Sequence, residues 1–341
     1  MVNSVLRHSL TRLLNREDLT REEAAALLEA MLQDDATDAQ IAATLIALAA
    51  KGETVAELAG MASVLRARAV RVNSCHAAFI DTAGTGSSRA KTFNVSSAAA
   101  FVIAGAGLAV AKHGNRAASS KSGSADVLTA LGVNVNALAK VSEDCLNELG
   151  ICFMFAPLYH GATARVAGIR RELGVHTTFN LLGPLSNPAG APRQIIGVWR
   201  EELVALLANV LAALGTERAW VVHGADGLDE ITLAGKTLVA EAHEGSVRTS
   251  TIAPADFGLA TGTLDHLRGG DAEANARIIR DVLAAERRDE ARALVVMNAA
   301  AALFVGGKAQ TLSDAARRAE ESIDTGAALK KLEQLITATN A

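Results

Sequence analysis

The stretch Lys112-His-Gly-Asn-Arg-Ala-Ala-Ser-Ser-Lys-Ser-Gly-Ser124 decides the reading of this chain. Its thirteen residues hold four basic side chains, four hydroxyls, an amide and two glycines, and no acid. An apolar run, Leu108-Ala-Val-Ala111, precedes it, and a helix-like run, Ser124-Ala-Asp-Val-Leu-Thr-Ala-Leu131, follows. A strand that opens into a cationic, hydrogen-bond-rich loop and then a helix is a place to hold a phosphate. Backbone N–H groups and the helix dipole both favour an anion there. A merely solvated turn usually mixes charge signs.

A second loop of this kind lies upstream. Phe79-Ile-Asp-Thr-Ala-Gly-Thr-Gly-Ser-Ser-Arg-Ala-Lys-Thr-Phe-Asn-Val-Ser-Ser97 passes from an apolar segment through Gly84 and Gly86. It enters Ala98-Ala-Ala-Phe-Val-Ile-Ala104, which reads as a buried helix with Asn94, Ser96 or Ser97 as its cap. Gly84-Thr-Gly86 alone is a weak signal. Arg89 stands where a dinucleotide fingerprint needs its third glycine, which argues against a nicotinamide dehydrogenase.

The 341 residues allow one large or two smaller domains. Half are hydrophobic, but only one Tyr and two Trp occur, so Ala, Leu, Val and Ile must build the core. The formal net charge is -4, whereas a general nucleic-acid binder carries a basic balance. Positive charge is local instead, at Arg89, Lys91, Lys112, His113, Arg116, Lys121, Arg170 and Arg171, which suits a small anionic substrate. Cys75, Cys145 and Cys152 show no paired spacing and read as reduced thiols of a cytoplasmic protein. No run has membrane-spanning length, and no signal-peptide pattern opens the chain.

The first seventy or so residues read as all helix, with capping-box starts at Thr20-Arg-Glu-Glu23, Thr37-Asp-Ala-Gln40 and Thr54-Val-Ala-Glu57. Gln40 to Ala50 is apolar nearly all round, so it packs within the domain or against a second subunit. From residue 73, apolar runs alternate with helical stretches: Ala77–Ile80, Leu108–Ala111, Ile151–Ala156, Gln194–Trp199 and Ala219–His223. The expected architecture is a small all-helical N-terminal domain (1–72) and a larger α/β domain (73–341). The latter has a central, mainly parallel sheet flanked by helices, with ligands beyond the strand ends. Thr237–Pro254 reads as antiparallel strand, Thr177–Arg193 as a proline-rigid connector, and Asp271 onward as helices.

Several segments in order carry a family resemblance. They are Gly84-Thr-Gly86 with Thr92-Phe-Asn-Val-Ser-Ser97, then Lys112 to Ser124, Phe155-Ala-Pro-Leu-Tyr-His160 and Arg170-Arg-Glu-Leu-Gly174. Phe179-Asn-Leu-Leu-Gly-Pro-Leu-Ser-Asn-Pro188 and Val221-Val-His-Gly-Ala-Asp-Gly-Leu-Asp-Glu-Ile231 complete them. The chain resembles the anthranilate phosphoribosyltransferases, which join anthranilate to 5-phosphoribosyl 1-diphosphate (PRPP). The resemblance spans nearly the whole chain. One departure stands out: the family usually reads Gly-Thr-Gly-Gly-Asp in the first loop, and this chain has Ser87 and Ser88 in the last two places. A serine hydrogen-bonds but supplies no carboxylate for Mg²⁺.

The resemblance implies a PRPP site of Gly84, Thr85, Ser87, Ser88, Thr92, Asn94, Val95, Ser96, Ser97, Lys112, His113, Gly114, Asn115, Arg116, Ser119, Ser120 and Ser124. It implies an anthranilate site of Gly84, Asn115 and Arg170, with Arg170 clamping the carboxylate. Lys112, Asn115 and Arg170 act by position and charge. One or two Mg²⁺ ions are implied at Ser96, Asp229 and Glu230. A homodimer through the helical domain, joined by part of 160–193, is implied as well. From the residues alone, Asp229-Glu230 reads more readily as a surface acid pair than as a metal site, and the alternative for Arg170 is a structural salt bridge to Glu172 or another chain segment. His113, Tyr159 and His160 are candidate pocket walls, and Asp226 shapes a turn with Gly224 and Gly227. Rival readings are a pyrimidine nucleoside phosphorylase and a non-catalytic nucleic-acid-binding relative on the same fold.

Overall fold

The computed structural model describes residues 3–86, 92–117, 121–265 and 267–341. Four helices open the chain: α1 (Ser4–Leu14), α2 (Arg21–Met31), α3 (Asp38–Lys51) and α4 (Val55–Arg68). The three expected capping boxes form at Thr20, Thr37 and Thr54, each hydroxyl accepting from the N–H three residues on. Helix α3 buries Ile41, Leu45 and Leu48 but leaves Ile46 40% exposed, so one apolar face stays open in the single chain.

The α/β part begins with β1 (Phe79–Gly84), α5 (Val95–Gly105), β2 (Ala109–Gly114), α6 (Ser124–Ala130), α7 (Ala139–Asp144) and β3 (Ile151–Phe155). Three helices follow, α8 (Ala156–Tyr159), α9 (Ala164–Leu173) and α10 (Thr178–Leu185). Next come β4 (Arg193–Gly197), α11 (Glu202–Ala213), β5 (Arg218–Gly224), β6 (Thr237–His243) and β7 (Ser246–Ile252). Helices α12 (Ala272–Leu283), α13 (Glu290–Val305), α14 (Leu312–Asp324) and α15 (Ala327–Asn340) close the chain.

The sheet order is β3-β2-β1-β4-β5-β6-β7. The first five strands are parallel, and β6 and β7 are antiparallel. The order reverses between β1 and β4, where Gly84 lies opposite Gly197. In an open parallel sheet that reversal leaves a crevice beyond the carboxyl ends of the strands.

Two apolar cores flank the sheet. Phe101, Ile103, Leu294, Met297 and Leu332 belong to the one built on α5 and the C-terminal helices. Leu27, Leu48 and Leu58 of the N-terminal helices share the other with Leu182, Leu207 and Val221. The helical part therefore packs onto α10, α11 and one sheet face.

The connector expected over Thr177–Arg193 contains helix α10. Phe179, Leu181, Leu182 and Leu185 are buried there, and Pro184 sits one residue from the helix end. A proline so placed removes a single intrahelical bond, which that burial offsets.

Candidate active site

One cavity of about 580 Å³ opens at the carboxyl ends of the parallel strands. The first loop contributes Gly84, Thr85, Thr92, Asn94, Ser96 and Ser97 to its wall, and the second contributes Lys112, His113, Gly114, Asn115, Arg116 and Ser124. Arg170, Asp229 and Glu230 line it too. Ser87, Ser88, Ser119 and Ser120, with Arg89 and Lys91, lie outside the described residues. Two expectations need correction. Val95 is not on the wall; its side chain enters the core as the first residue of α5. Tyr159 is likewise a core residue, while His113 and His160 do line the cavity.

The two loops are tied together by Asn94. Its Nδ2 donates to the Ser122 carbonyl at 3.2 Å, and its Oδ1 accepts from Ser122 Oγ at 3.2 Å and from Asn275 Nδ2 at 3.0 Å. Asn94 is the N-cap residue of α5, one of the three expected candidates, but with its oxygen so engaged it makes no side-chain cap bond there. Asn275 accepts from the Gly270 N–H at 2.8 Å, and the Phe93 N–H donates to the Leu267 carbonyl at 3.2 Å. Gly269 and Gly270 thus join the wall as a third segment that sequence reasoning missed. The signal was there: two glycines directly before a helix.

The second loop is held by an acid just beyond the stretch that has none. Asp126 Oδ2 accepts from the Ala117 and Gly123 N–H groups, both at 2.9 Å, and Oδ1 pairs with Arg116 at 2.8 Å. Burial raises the Asp126 pKa, but these partners outweigh it and the net shift is downward. Glycine is required at 123, because a Cβ there would lie 2.4 Å from the Ala117 nitrogen.

Lys112 forms part of the cavity floor. Its ammonium donates to the Thr82 carbonyl and lies 3.3 Å from Ser96 Oγ. Burial lowers its pKa, and the charges of Asp81 and Glu230 oppose that. Asp81 is fully buried, accepting from Asn187 Nδ2 at 2.7 Å and from the His113 N–H at 3.2 Å. Burial pushes the Asp81 carboxyl up to about 6, against the pull of Lys112.

The acid pair sits at the same strand ends. A Cβ on Gly197 would lie 1.6 Å from the Asp229 carbonyl oxygen, so glycine lets this segment cross directly over β4. Asn298 grips the next residue from both sides, donating to the Ile231 carbonyl at 3.0 Å and accepting its N–H at 3.1 Å. Glu230 Oε1 accepts from the Ser96 N–H at 3.3 Å, and Oε2 is enclosed with no partner among the described residues. Burial, reinforced by Asp229, pushes the Glu230 carboxyl up to about 8, while Lys112 and the Ser96 N–H oppose the shift. An enclosed, unpartnered carboxylate oxygen is not what a surface acid pair presents. Two carboxylates and the Ser96 hydroxyl fit Mg²⁺, whose remaining positions go to water and substrate phosphate. Asp226 behaves as expected: it accepts from the Leu228 N–H at 3.2 Å and from Thr232 Oγ1 at 2.6 Å within the turn.

Arg170, on α9, stands over the Phe179 ring at 5.4 Å and donates to Asn180 Oδ1 at 3.3 Å. Among the described residues it makes no ion pair, with Glu172 or any other acid. Burial lowers its pKa, yet a guanidinium stays charged. His113 and His160 meet edge to face at 5.1 Å. Burial, with help from His160, pushes His113 down to about 3, so its ring is neutral near pH 7.

Comparison with known proteins fits this site. The model of the glycosyl transferase family, a/b domain, matches residues 76–329, and that of its helical bundle domain matches residues 7–69. An anthranilate phosphoribosyltransferase from Anaeromyxobacter dehalogenans is 53% identical over 98% of this chain and 99% of the relative. The chain belongs to the anthranilate phosphoribosyltransferase family. A second member, from Pelotomaculum thermopropionicum, is 48% identical over 98% of this chain and 97% of its own length. The crystal structure of the family's enzyme from Thermus thermophilus superimposes with a TM-score of 0.92 at 38% identity. It covers 98% of this chain and 99% of its own. The Saccharomyces cerevisiae anthranilate phosphoribosyltransferase in complex with PRPP and Mg gives a TM-score of 0.90 at 27% identity. That match covers 99% of this chain and 98% of the yeast chain. The helical N-terminal domain and the larger, mostly parallel α/β domain are the family's architecture.

Proposed function

We propose that this chain transfers the phosphoribosyl group of PRPP to the amine of anthranilate, releasing diphosphate, in tryptophan biosynthesis. The observation that carries this reading is what one cavity brings together. Two carboxylates, two hydroxyl- and N–H-rich loops and a half-buried guanidinium that has no counter-ion among the described residues all line it.

In this reading Thr85, Asn94, Ser96 and Ser97 hold one anionic end of PRPP, and Asn115, Arg116 and Ser124 hold the other. Lys112 supplies fixed positive charge beneath Ser96, where the diphosphate charge grows. Ser96, Asp229 and Glu230 hold Mg²⁺, which when bound neutralises negative charge on the leaving diphosphate. Arg170 takes the anthranilate carboxylate as a bidentate clamp, with Gly84 and Asn115 beside it. The aromatic amine is already uncharged at neutral pH, so positioning supplies much of the rate, up to roughly 7–11 kcal/mol in well-oriented systems. The neutral His113 ring adds no charge beside the acceptor.

The exposed apolar face of α3 supports a homodimer through the helical domain. Residues 1–72 with part of 160–193 form one body in this account, and 73–341 the other. Three free cysteines, and no helix among the described residues long enough to cross a membrane, accord with a cytoplasmic enzyme. The test is direct. Anthranilate fluorescence is followed with protein, PRPP and Mg²⁺. Loss of signal that requires all three supports the reading, and a flat trace at high enzyme overturns it.

A further inference from the structure

Arg170 is oriented by an amide where ion-pair chemistry would usually place a carboxylate. Asn180 Oδ1 accepts from Arg170 Nη2 at 3.3 Å and from the Thr177 N–H at 3.1 Å. The second bond fixes the amide at the first turn of α10, so Arg170 is aimed by the start of that helix. Phe179, the preceding residue, presents its ring to the same guanidinium at 5.4 Å. Phe179 is buried, which holds the ring in place. Asn180 itself lines the cavity, and its Nδ2 has no partner among the described residues.

The charge pattern around other arginines sharpens the point. Arg12, Arg116, Arg165, Arg193, Arg218 and Arg292 each meet a carboxylate within 3.0 Å. Arg170 is half-buried, faces the cavity and meets none among the described residues. A carboxylate at position 180 could make the same two hydrogen bonds. It would also neutralise the guanidinium and compete with any anion arriving from the cavity.

Resting on the reading of Arg170 as the acceptor clamp, we propose that Asn180 is a specificity-determining positioning residue. It aims Arg170 at the acceptor carboxylate while leaving the guanidinium charge uncompensated, and its Nδ2 offers the same carboxylate a further neutral donor. The acceptor is thereby required to be an anion, and a neutral aromatic amine is disfavoured.

The test compares Asn180→Asp and Asn180→Ala with the parent enzyme in steady-state kinetics, with thermal melting of each. Aspartate keeps the acceptor for Thr177 and is favourable at a helix start, so Asn180→Asp melts at or above the parent temperature. Its KM for anthranilate rises about tenfold or more, because the clamp is now paired, while KM for PRPP changes less than twofold. Asn180→Ala loses the aiming bond but adds no charge, so its anthranilate KM rises less than that of Asn180→Asp. In the double variant with Arg170→Ala, the Asn180→Asp penalty shrinks, since the part that comes from neutralising the guanidinium is gone and only the lost Nδ2 donor and like-charge repulsion remain.

An Asn180→Asp enzyme with unchanged anthranilate KM, beside an Arg170→Ala enzyme whose KM rises, overturns the Asn180 inference and leaves the clamp standing. An alanine variant worse than the aspartate variant overturns the charge argument. An Arg170→Ala enzyme with unaltered anthranilate KM overturns both.

Discussion

Asp81 and Asn187 meet at 2.7 Å beneath the cavity, carboxylate oxygen to amide nitrogen. The Asn187 amide also donates to the Ala111 carbonyl at 2.9 Å, and its oxygen accepts the Ala189 N–H at 2.9 Å. Asp81 belongs to β1 and Ala111 to β2, the strands that launch the two loops of the cavity wall. Asn187 belongs to the segment that leaves α10. This pair therefore ties the segment after α10 to the two strands that carry the wall loops.

The Asp81 carboxyl has a signed pH signature. Its pKa moves from 3.8 to about 6 through burial, so the folded chain binds this proton more tightly than the unfolded one. Stability from this group is full below about pH 4 and is lost as pH rises through about 6, on the order of 3 kcal/mol in all. In Asp81→Asn the contribution is absent. The parent's melting temperature relative to the variant's should therefore fall from pH 4 to pH 7. The lost Asn187 bond adds a constant offset, so the slope is the readout. A difference curve flat with pH contradicts the assignment.

Glu230→Gln removes a carboxylate from the proposed Mg²⁺ site while keeping the acceptor for the Ser96 N–H. We expect kcat/KM for PRPP to fall on the order of 100-fold and the Mg²⁺ activation curve to move to higher concentration. An unchanged Mg²⁺ titration removes Glu230 from the site.

Ser88→Asp restores the carboxylate that the family usually carries two residues after the second glycine. An added acid near a diphosphate supplies another hard oxygen ligand, so the Mg²⁺ dependence of turnover should change shape. If the two activation curves superimpose, the serine is a neutral departure.

Gly197→Ala tests the crossing of the acid pair over β4. The added methyl has no room against the Asp229 carbonyl, so the segment must move. We expect a loss of about 1–3 kcal/mol in stability and weaker Mg²⁺ activation together. Full activity with parent-like melting contradicts the close approach.

Much of this was legible in the residues. The alternation after residue 73 located all five parallel strands, because buried parallel strands read as short apolar runs between loops. The capping boxes at Thr20, Thr37 and Thr54 were readable because their bonds are local. What stayed hidden depends on long-range contact. Asn94 reads as a cap, but partners at 122 and 275 claim its side chain. Val95 and Tyr159 sit inside site motifs, and only packing shows that they face the core. Asp81, Asn187 and Asn298 resemble ordinary polar residues until the sheet brings their partners within reach.

The central claim is that both loops close on one molecule of PRPP. A crystal of the protein grown with PRPP and Mg²⁺ measures this most directly. The account predicts PRPP in the cavity, its diphosphate beside Ser96 and Glu230 and its sugar reaching between the Thr85 and Asn115 loops, with Arg170 left open to an acceptor. PRPP bound outside this cavity, or touching only one of the two loops, would contradict it.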